Sequence, residues 1–518
     1  MSMSDHAIKL VVFAGYVLIL WILGALASRR MRDVREYFAA GKNLSFISVA
    51  FSSRATGESA WLLLGLTGSA AYFGFVTFWI VVGEIIGVSL AWLFMVRRFK
   101  RLTDRYDSIT VPDYLESRFR DNSHALRLIA VVPLVLFVTI YVSAQILATG
   151  KGFEDFLGWN YYAGALTGFA VVLVYIFSGG FVAVVWSDVF QGTCMLFGLL
   201  ALPITGLIHL GGWGALVEQL RAIDPDLVSF TGGDLTAMAV AGIFGYAFIG
   251  LGFLGSPQVF VRFLALKNEK EITKGTAVAI SWTVLALTGA VVSGLVGRAI
   301  LHDTEMAAGW VTTGDWEGVL PTTTAHLFPT FIAGLYVAIV LSAIMSTIDS
   351  LLVVAGSAAV RDYYQKTLHP NLPDDRLVFL SRALTLLLAI FALGIALSVA
   401  YLNEKQEIFW FVIFGWSGIA ATFCPVMILS LFWKGITARG AKAAMLVGFL
   451  TVPFLKFVVM EMRGIGEYAT AVDVLGPAFI VSMIVGVAVS LTDPRGKRKM
   501  AGIEEDLGVA ANGPSSTD

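Results

Sequence analysis

Apolar residues run in blocks of about twenty from one end of the chain to the other, with short polar stretches between them. Twenty helical residues at 1.5 Å each cross about 30 Å, the hydrocarbon thickness of a bilayer. The pattern predicts about thirteen transmembrane helices, near 8–28, 43–73, 75–96, 122–149, 161–178, 187–209, 236–260, 275–300, 326–353, 380–402, 407–432, 441–461 and 472–491. The fold class is an all-α integral membrane protein. The first segment is followed by Arg29, Arg30, Arg32 and Arg35, not by a small-residue cleavage site, so it reads as a span and not a removed leader.

Composition agrees. Of 518 residues 57% are hydrophobic and 14% charged, against about 25% charged in soluble proteins. The net charge of −1 excludes a basic nucleic-acid binder. Cys194 and Cys424 lie inside apolar runs and read as small buried hydrophobes. The six histidines lie near span ends without metal-ligand spacing, and no nucleophile–base constellation points to an enzyme. Most of the 36 cationic residues fall in alternate connections: 29–35, 97–105, 267–274, 361–382, 434–442 and 495–499. The opposite connections carry little beyond Lys151, Arg221, Arg298, Lys405 and Arg463. The basic face is the expected cytoplasmic one, which puts the N-terminus outside and the C-terminus inside the cell membrane. The connections at about 210–235 and 301–325 are too short for a soluble domain, and the tail from 495 is expected to be disordered.

Polar residues at membrane depth carry the functional signal. Arg54 lies about 17 Å into the second span, near the bilayer midplane, where an ionisable residue is a functional candidate by default. Glu58 follows at i+4 and is placed to pair with it, as a brace or as part of a site. Ser52, Ser53, Ala55, Thr56, Gly57, Ser59 and Ala60 around them suit a helix break that turns carbonyls toward a cavity. The seventh span holds a second weak point, Gly250 to Pro257, with three glycines and a proline in eight residues. Its G-x-G-x-x-G string has no strand before it and is not a nucleotide site. Interruptions at matching positions point to a transporter binding site. They make spans 2–6 and 7–11 two five-helix repeats, inverted because five is odd. The ninth span places Ala343, Ser346, Thr347 and Ser350 on one face, beside Asp349. Hard oxygen ligands on a narrow stripe suit Na⁺. Asp188 opens the sixth span as a second acid.

These residues resemble the sodium/solute symporter family, closest to its sodium/proline symporters. The matching stretches are Ser59–Leu66, Gly179 to Asp188, Gly250–Phe263 and Met345–Thr347, and the likeness covers nearly the whole chain. It implies the leucine-transporter-type fold with 5+5 inverted repeats and broken helices in spans two and seven. It also implies a sodium site from the carbonyls of Ala55, Glu58 and Ala343 and the hydroxyls of Ser346 and Thr347. A second sodium position would map to Asp188, Ser346, Asp349 and Ser350. The implied substrate pocket holds Arg54, Gly57, Ser59, Trp61, Ile249, Phe253 and Pro257. Here the sequence departs from proline transporters, which carry an acid at Gly57, a tryptophan at Ile249 and a tyrosine at Phe253.

The expected organisation is an extra helix in 1–42, a first repeat in 43–210, an outer loop in 211–235, a second repeat in 236–433, two peripheral helices in 434–494 and the tail. The expected activity is Na⁺-coupled import of a small organic solute, an amino acid such as proline, with one or two Na⁺ as coupling ions. A small carboxylate held by Arg54 is the alternative. A channel or a transmembrane sensor is the alternative from another class, opposed by scattered polar residues and the lack of an output domain. The expected partners are the solute and the lipid bilayer, with no nucleic acid and no obligate protein partner.

Overall fold

The computed structural model describes residues 3–29, 34–304, 308–310, 316–369, 371–402 and 408–513. Arg30, Arg32 and Lys405, used above to orient the chain, lie outside them. The main helices are α1 (Met3–Ser28), α2 (Phe46–Ala60), α3 (Thr67–Phe73), α4 (Phe78–Leu90), α5 (Val96–Arg105), α6 (Val111–Phe119), α7 (Ala125–Leu157) and α8 (Tyr161–Leu210). They continue with α9 (Ala237–Phe248), α10 (Pro257–Leu264), α11 (Lys270–Leu301), α12 (Thr330–Ser357), α13 (Asp374–Leu402), α14 (Ile408–Phe432), α15 (Ala438–Phe454), α16 (Leu475–Leu491) and α17 (Ile503–Asn512). Short helices fill several of the connections.

Ten helices among the described residues are long and apolar enough to cross a membrane, or eleven if Ile465–Val472 and Leu475–Leu491, bent by 89°, form one span. The thirteen expected segments differ from this count in three places. The apolar tract Phe46–Arg105 contains two of them, interrupted at Gly74 (φ 73°). The segment at 161–178 is the part of the long helix α8 that precedes its kink at Gly180 (φ 53°) and is not counted as a separate span. The last expected segment is the longer arm of the bent pair.

The centre of the bundle is α12. It is buried on all sides from Tyr336 to the end of the helix, and it packs on α1, α2, α7 and α8. A helix that presents apolar and hydroxyl side chains all round belongs inside other helices. Close approach elsewhere depends on glycine. A Cβ on Gly87 of α4 would lie 2.0 Å from the carbonyl oxygen of Gly250, and one on Gly250 would lie 2.1 Å from that of Gly83. Span three and the break in span seven therefore meet backbone to backbone.

The basic face is stapled by ion pairs between connections: Arg101 with Glu269, Lys442 with Asp121, and Arg127 with Asp113 and Asp362. The expectation of a disordered tail from 495 fails for the residues described. Pro494–Lys499 and α17 are helical, and α17 lies on α5. Glu504, Glu505 and Asp506 occupy its first turn, where the helix dipole favours acids. Arg105 pairs with both Glu505 and Asp506 at 2.6 Å, and Arg101 donates to the carbonyls of Ala510 and Ala511. Composition alone hid these partners, because they lie some 400 residues away in sequence.

Candidate functional site

The N-terminal end of α2 is capped by Ser45, and the helix is broken near its C-terminal end. Ser59 stands at φ 46°, ψ −167°, a region that costs a non-glycine residue about 1–3 kcal/mol. Neighbours on α7 hold it there. Tyr141 Oη and Gln145 Nε2 each donate to Ser59 Oγ at 3.3 Å, and the Ala60 amide donates to Gln145 Oε1 at 3.0 Å. In an unbroken helix that amide would serve the Thr56 carbonyl. The Thr56 carbonyl instead accepts Thr347 Oγ1 at 3.2 Å.

This break faces the hydroxyl stripe of α12. Ser346 Oγ lies 3.0 Å from the Ala55 carbonyl and 3.1 Å from that of Ala343. Thr347 Oγ1 also reaches the Ala343 carbonyl at 3.2 Å. All these residues are buried. Four of the five expected sodium ligands therefore converge. The third carbonyl in contact with the hydroxyls is that of Thr56. The donor set is neutral hydroxyl and carbonyl oxygen on two facing helices, which fits a desolvated monovalent hard cation.

A second cluster lies further along the same stripe. Asp188 Oδ2 accepts Ser52 Oγ at 2.6 Å and Thr56 Oγ1 at 3.3 Å. Ser350 Oγ sits 2.8 Å from Thr56 Oγ1 and donates to Asp349 Oδ1 at 3.1 Å. Ser187 Oγ reaches Asp349 Oδ2 at 3.5 Å. The sequence reading had not included Arg262, on α10. It is fully buried and donates to Asp188 Oδ2 at 3.0 Å, to Ser52 Oγ at 2.8 Å, to Ser350 Oγ at 2.5 Å and to the Gln258 carbonyl. Asp188 Oδ1 is left buried without a hydrogen-bond partner.

The third cluster surrounds Arg54. It forms the expected i, i+4 ion pair with Glu58, and its NH2 also reaches Glu84 Oε2 on α4 at 3.2 Å. Its guanidinium carbon lies 4.4 Å from the centre of the Phe253 ring and 5.8 Å from that of Trp282. Arg54, Glu58 and Glu84 are each at most 1% exposed.

Among the expected substrate residues, Gly57 and Phe253 touch. A Cβ on Gly57 would lie 2.6 Å from Phe253 Cε1, so the missing acid and the ring are one packing unit. Trp61 Nε1 donates to the Gly57 carbonyl at 3.4 Å, and the Ile249 carbonyl accepts Trp416 Nε1 at 3.0 Å. Trp416 packs on Phe253 with ring centres 5.0 Å apart. Pro257 stands apart. It opens α10 and lines a crevice with Thr110, Leu134 and Val354. Seven residues, Thr56, Glu84, Tyr141, Gln145, Arg262, Trp282 and Trp416, were missed. A charged residue inside an apolar run was an available signal for Glu84 and Arg262.

Comparison with known proteins supplies the context for these clusters. The sodium:solute symporter family model matches residues 37–448. The chain is 35% identical to a high-affinity proline transporter of Bacillus subtilis, over 91% of this chain and 93% of that protein. It is 32% identical to the sodium/proline symporter of Escherichia coli, over 86% of each. In structure it is similar to a substrate-bound, outward-open Na⁺-coupled sialic acid symporter. That likeness has a TM-score of 0.75 at 18% identity and covers 94% of this chain and 98% of the other. It shows a shared fold. The match spans the broken α2, the broken seventh span and the hydroxyl stripe of α12, and the chain belongs to the sodium:solute symporter family, as a multi-pass Na⁺-coupled carrier of a small solute.

Proposed function

We propose that the chain imports a small amino acid, such as proline, by alternating access, driven by Na⁺ entering with the solute. The observation that carries the reading is the oxygen cluster at the Ser59 break, where the Ala55, Thr56 and Ala343 carbonyls meet the Ser346 and Thr347 hydroxyls. Two of those hydrogen bonds, from Ser346 to the Ala55 carbonyl and from Thr347 to the Thr56 carbonyl, join α12 to α2. A cation that replaced them would set the spacing of α2 and α12, which is how ion binding can bias a conformational equilibrium. The leucine-transporter-type arrangement supports the reading. Spans 2–6 and 7–11 serve as inverted repeats, with breaks at Ser59 and at 249–255 lining the solute site. The basic face is the cytoplasmic one.

A second Na⁺ position lies at Asp188, Ser346, Asp349 and Ser350. Asp188 pairs there with Arg262, and its Oδ1 has no hydrogen-bond partner. The reading is therefore two Na⁺ per solute. Import of a bare carboxylate by Arg54 loses its basis, since Arg54 is already paired with two glutamates.

The test is uptake of radiolabelled proline into proteoliposomes with an inward Na⁺ or K⁺ gradient. Proline uptake should require Na⁺. Ser346→Ala and Thr347→Ala should each raise the half-saturating Na⁺ concentration at least tenfold, and reversal potentials should report two Na⁺ per proline. Equal uptake in K⁺ would refute the coupling. An unaltered Na⁺ dependence in both variants would refute the site.

A further inference from the structure

Glu84 lies in the apolar run Phe78–Leu90, and nothing in the cation sites uses it. It is nevertheless 1% exposed, and its recorded ion-pair partner is Arg54. Glu58 is fully buried and pairs with the same arginine. One guanidinium thus serves two carboxylates. Among the described residues no second cation pairs with either acid. With both carboxylates ionised, the cluster carries one negative charge more than it neutralises, in a place closed to water.

Two further features single out Glu58. Its Oε2 is buried without a hydrogen-bond partner. It also sits one residue before the Ser59 break, beside Gly57, whose face is covered by Phe253. Arg54 is fixed between the acids and the ring of Phe253, so the guanidinium is a built-in counterion and not an open receptor for an anion. A buried carboxylate with one counterion to share is expensive unless a positive group joins it. An incoming anion would raise the excess to two negative charges. An ammonium would cancel it.

We propose that Glu58, Glu84 and Arg54 form the subsite that receives the positively charged amine of the solute, with Glu84 as a specificity-determining residue. The transported solute is then an amine or a zwitterion, never a bare anion. This rests on the symport reading above and narrows it. Glu58 Oε2 accepts the ammonium hydrogens directly. Glu84 shares Arg54 with Glu58, so that the one guanidinium is divided between two acids.

The experiment uses the full chain, purified in detergent, and reads thermal unfolding in Na⁺ and in K⁺. The probes are L-proline, L-prolinamide (amine kept, carboxylate removed), N-acetyl-L-proline (carboxylate kept, amine removed), L-lactate and the standard amino acids. Na⁺ alone should raise the melting temperature. Proline or another amino acid should raise it further, and its amide should bind within about tenfold of it. The N-acetyl acid and lactate should not bind. Glu84→Gln and Glu58→Gln should each weaken amine binding at least tenfold, and Glu84→Gln should leave the Na⁺-only shift in place. If either variant fails to fold, the wild-type probe series still decides. Binding of the N-acetyl acid or lactate as tightly as of any amino acid would overturn the subsite while leaving symport standing. So would unchanged affinity in both variants. Loss of any Na⁺ effect in the wild type would overturn symport itself.

Discussion

Replacing Arg262 with glutamine removes the one guanidinium that serves Asp188. The side chain is fully buried and makes four hydrogen bonds, to Asp188, Ser52, Ser350 and the Gln258 carbonyl. Removing one partner of a buried ion pair costs about 3–5 kcal/mol, because the charge left behind is uncompensated. That lowers the folded-to-unfolded ratio by about two to three and a half powers of ten. Asp188→Asn should cost a similar amount by stranding Arg262. The pair Arg262→Gln with Asp188→Asn leaves two neutral amides and should recover most of the loss. The four proteins are compared by the fraction remaining monodisperse after a temperature ramp in detergent. Sodium supplies a second readout. With the guanidinium gone, the bound Na⁺ becomes the counter-charge of Asp188, and saturation at a hundred times its dissociation constant adds about 2.7 kcal/mol. Arg262→Gln should therefore be rescued by high Na⁺ and not by K⁺. A double variant as damaged as the sum of the two singles, with no Na⁺ rescue, would refute the assignment of this cluster as a coupled cation site.

Other outcomes follow from geometry. Gly87→Ala and Gly250→Ala each drive a methyl into a backbone carbonyl, so both should lose most folded protein in fluorescence-detected size exclusion. Gly15→Ala, with nothing within 4 Å, should behave as wild type apart from a small gain in helix propensity. Asp121, outside the spans, has its carboxyl pushed up by burial. Hydrogen bonds from Ser123, the Leu126 amide and Lys442 outweigh this and hold it at about 2, below its ordinary 3.8. Its folded value is the lower one, so its contribution to stability is present above about pH 4 and lost as the pH falls from 3.8 toward 2. Asp121→Asn should flatten that part of the pH–melting curve. Ending the chain after Met500 removes α17 and the acids that pair with Arg105 and Lys434. Since partly exposed pairs are worth about 0–1 kcal/mol each, the melting temperature should fall modestly with Na⁺ affinity unchanged.

The Ser59 break was legible in the sequence because its causes are local. Small and polar residues from Ser52 to Ala60 are weak helix formers, so the helix gives way at Ser59, and the three glycines with Pro257 act alike in span seven. The stripe of Ser346, Thr347 and Ser350 was legible from helical spacing. What stayed hidden depended on contacts between distant segments. Arg54 was read with its i+4 neighbour, because spacing reveals only partners on the same helix, while Glu84 reaches it from another span. Arg262 fell just beyond the expected end of span seven at 260 and was given no role. The folded helix starts at Pro257 and carries Arg262 inward. Thr56 supplies a carbonyl, and no side-chain pattern announces a backbone ligand.

The broken seventh span also leans on a thiol. Cys424 Sγ donates to the Gly252 carbonyl at 3.3 Å, and a Cβ on Gly255 would lie 2.8 Å from the Cys424 Cα. The sulfur is thus sealed by the backbone whose movement alternating access requires. Cys194, the other cysteine, is only partly covered. With Cys194 replaced by serine, the chain carries a single native reporter. A membrane-permeant maleimide can mark Cys424 only while the break has moved off α14. The labelling rate, followed as Na⁺ and solute are added, then measures how often the carrier opens, without a foreign probe in the transport path.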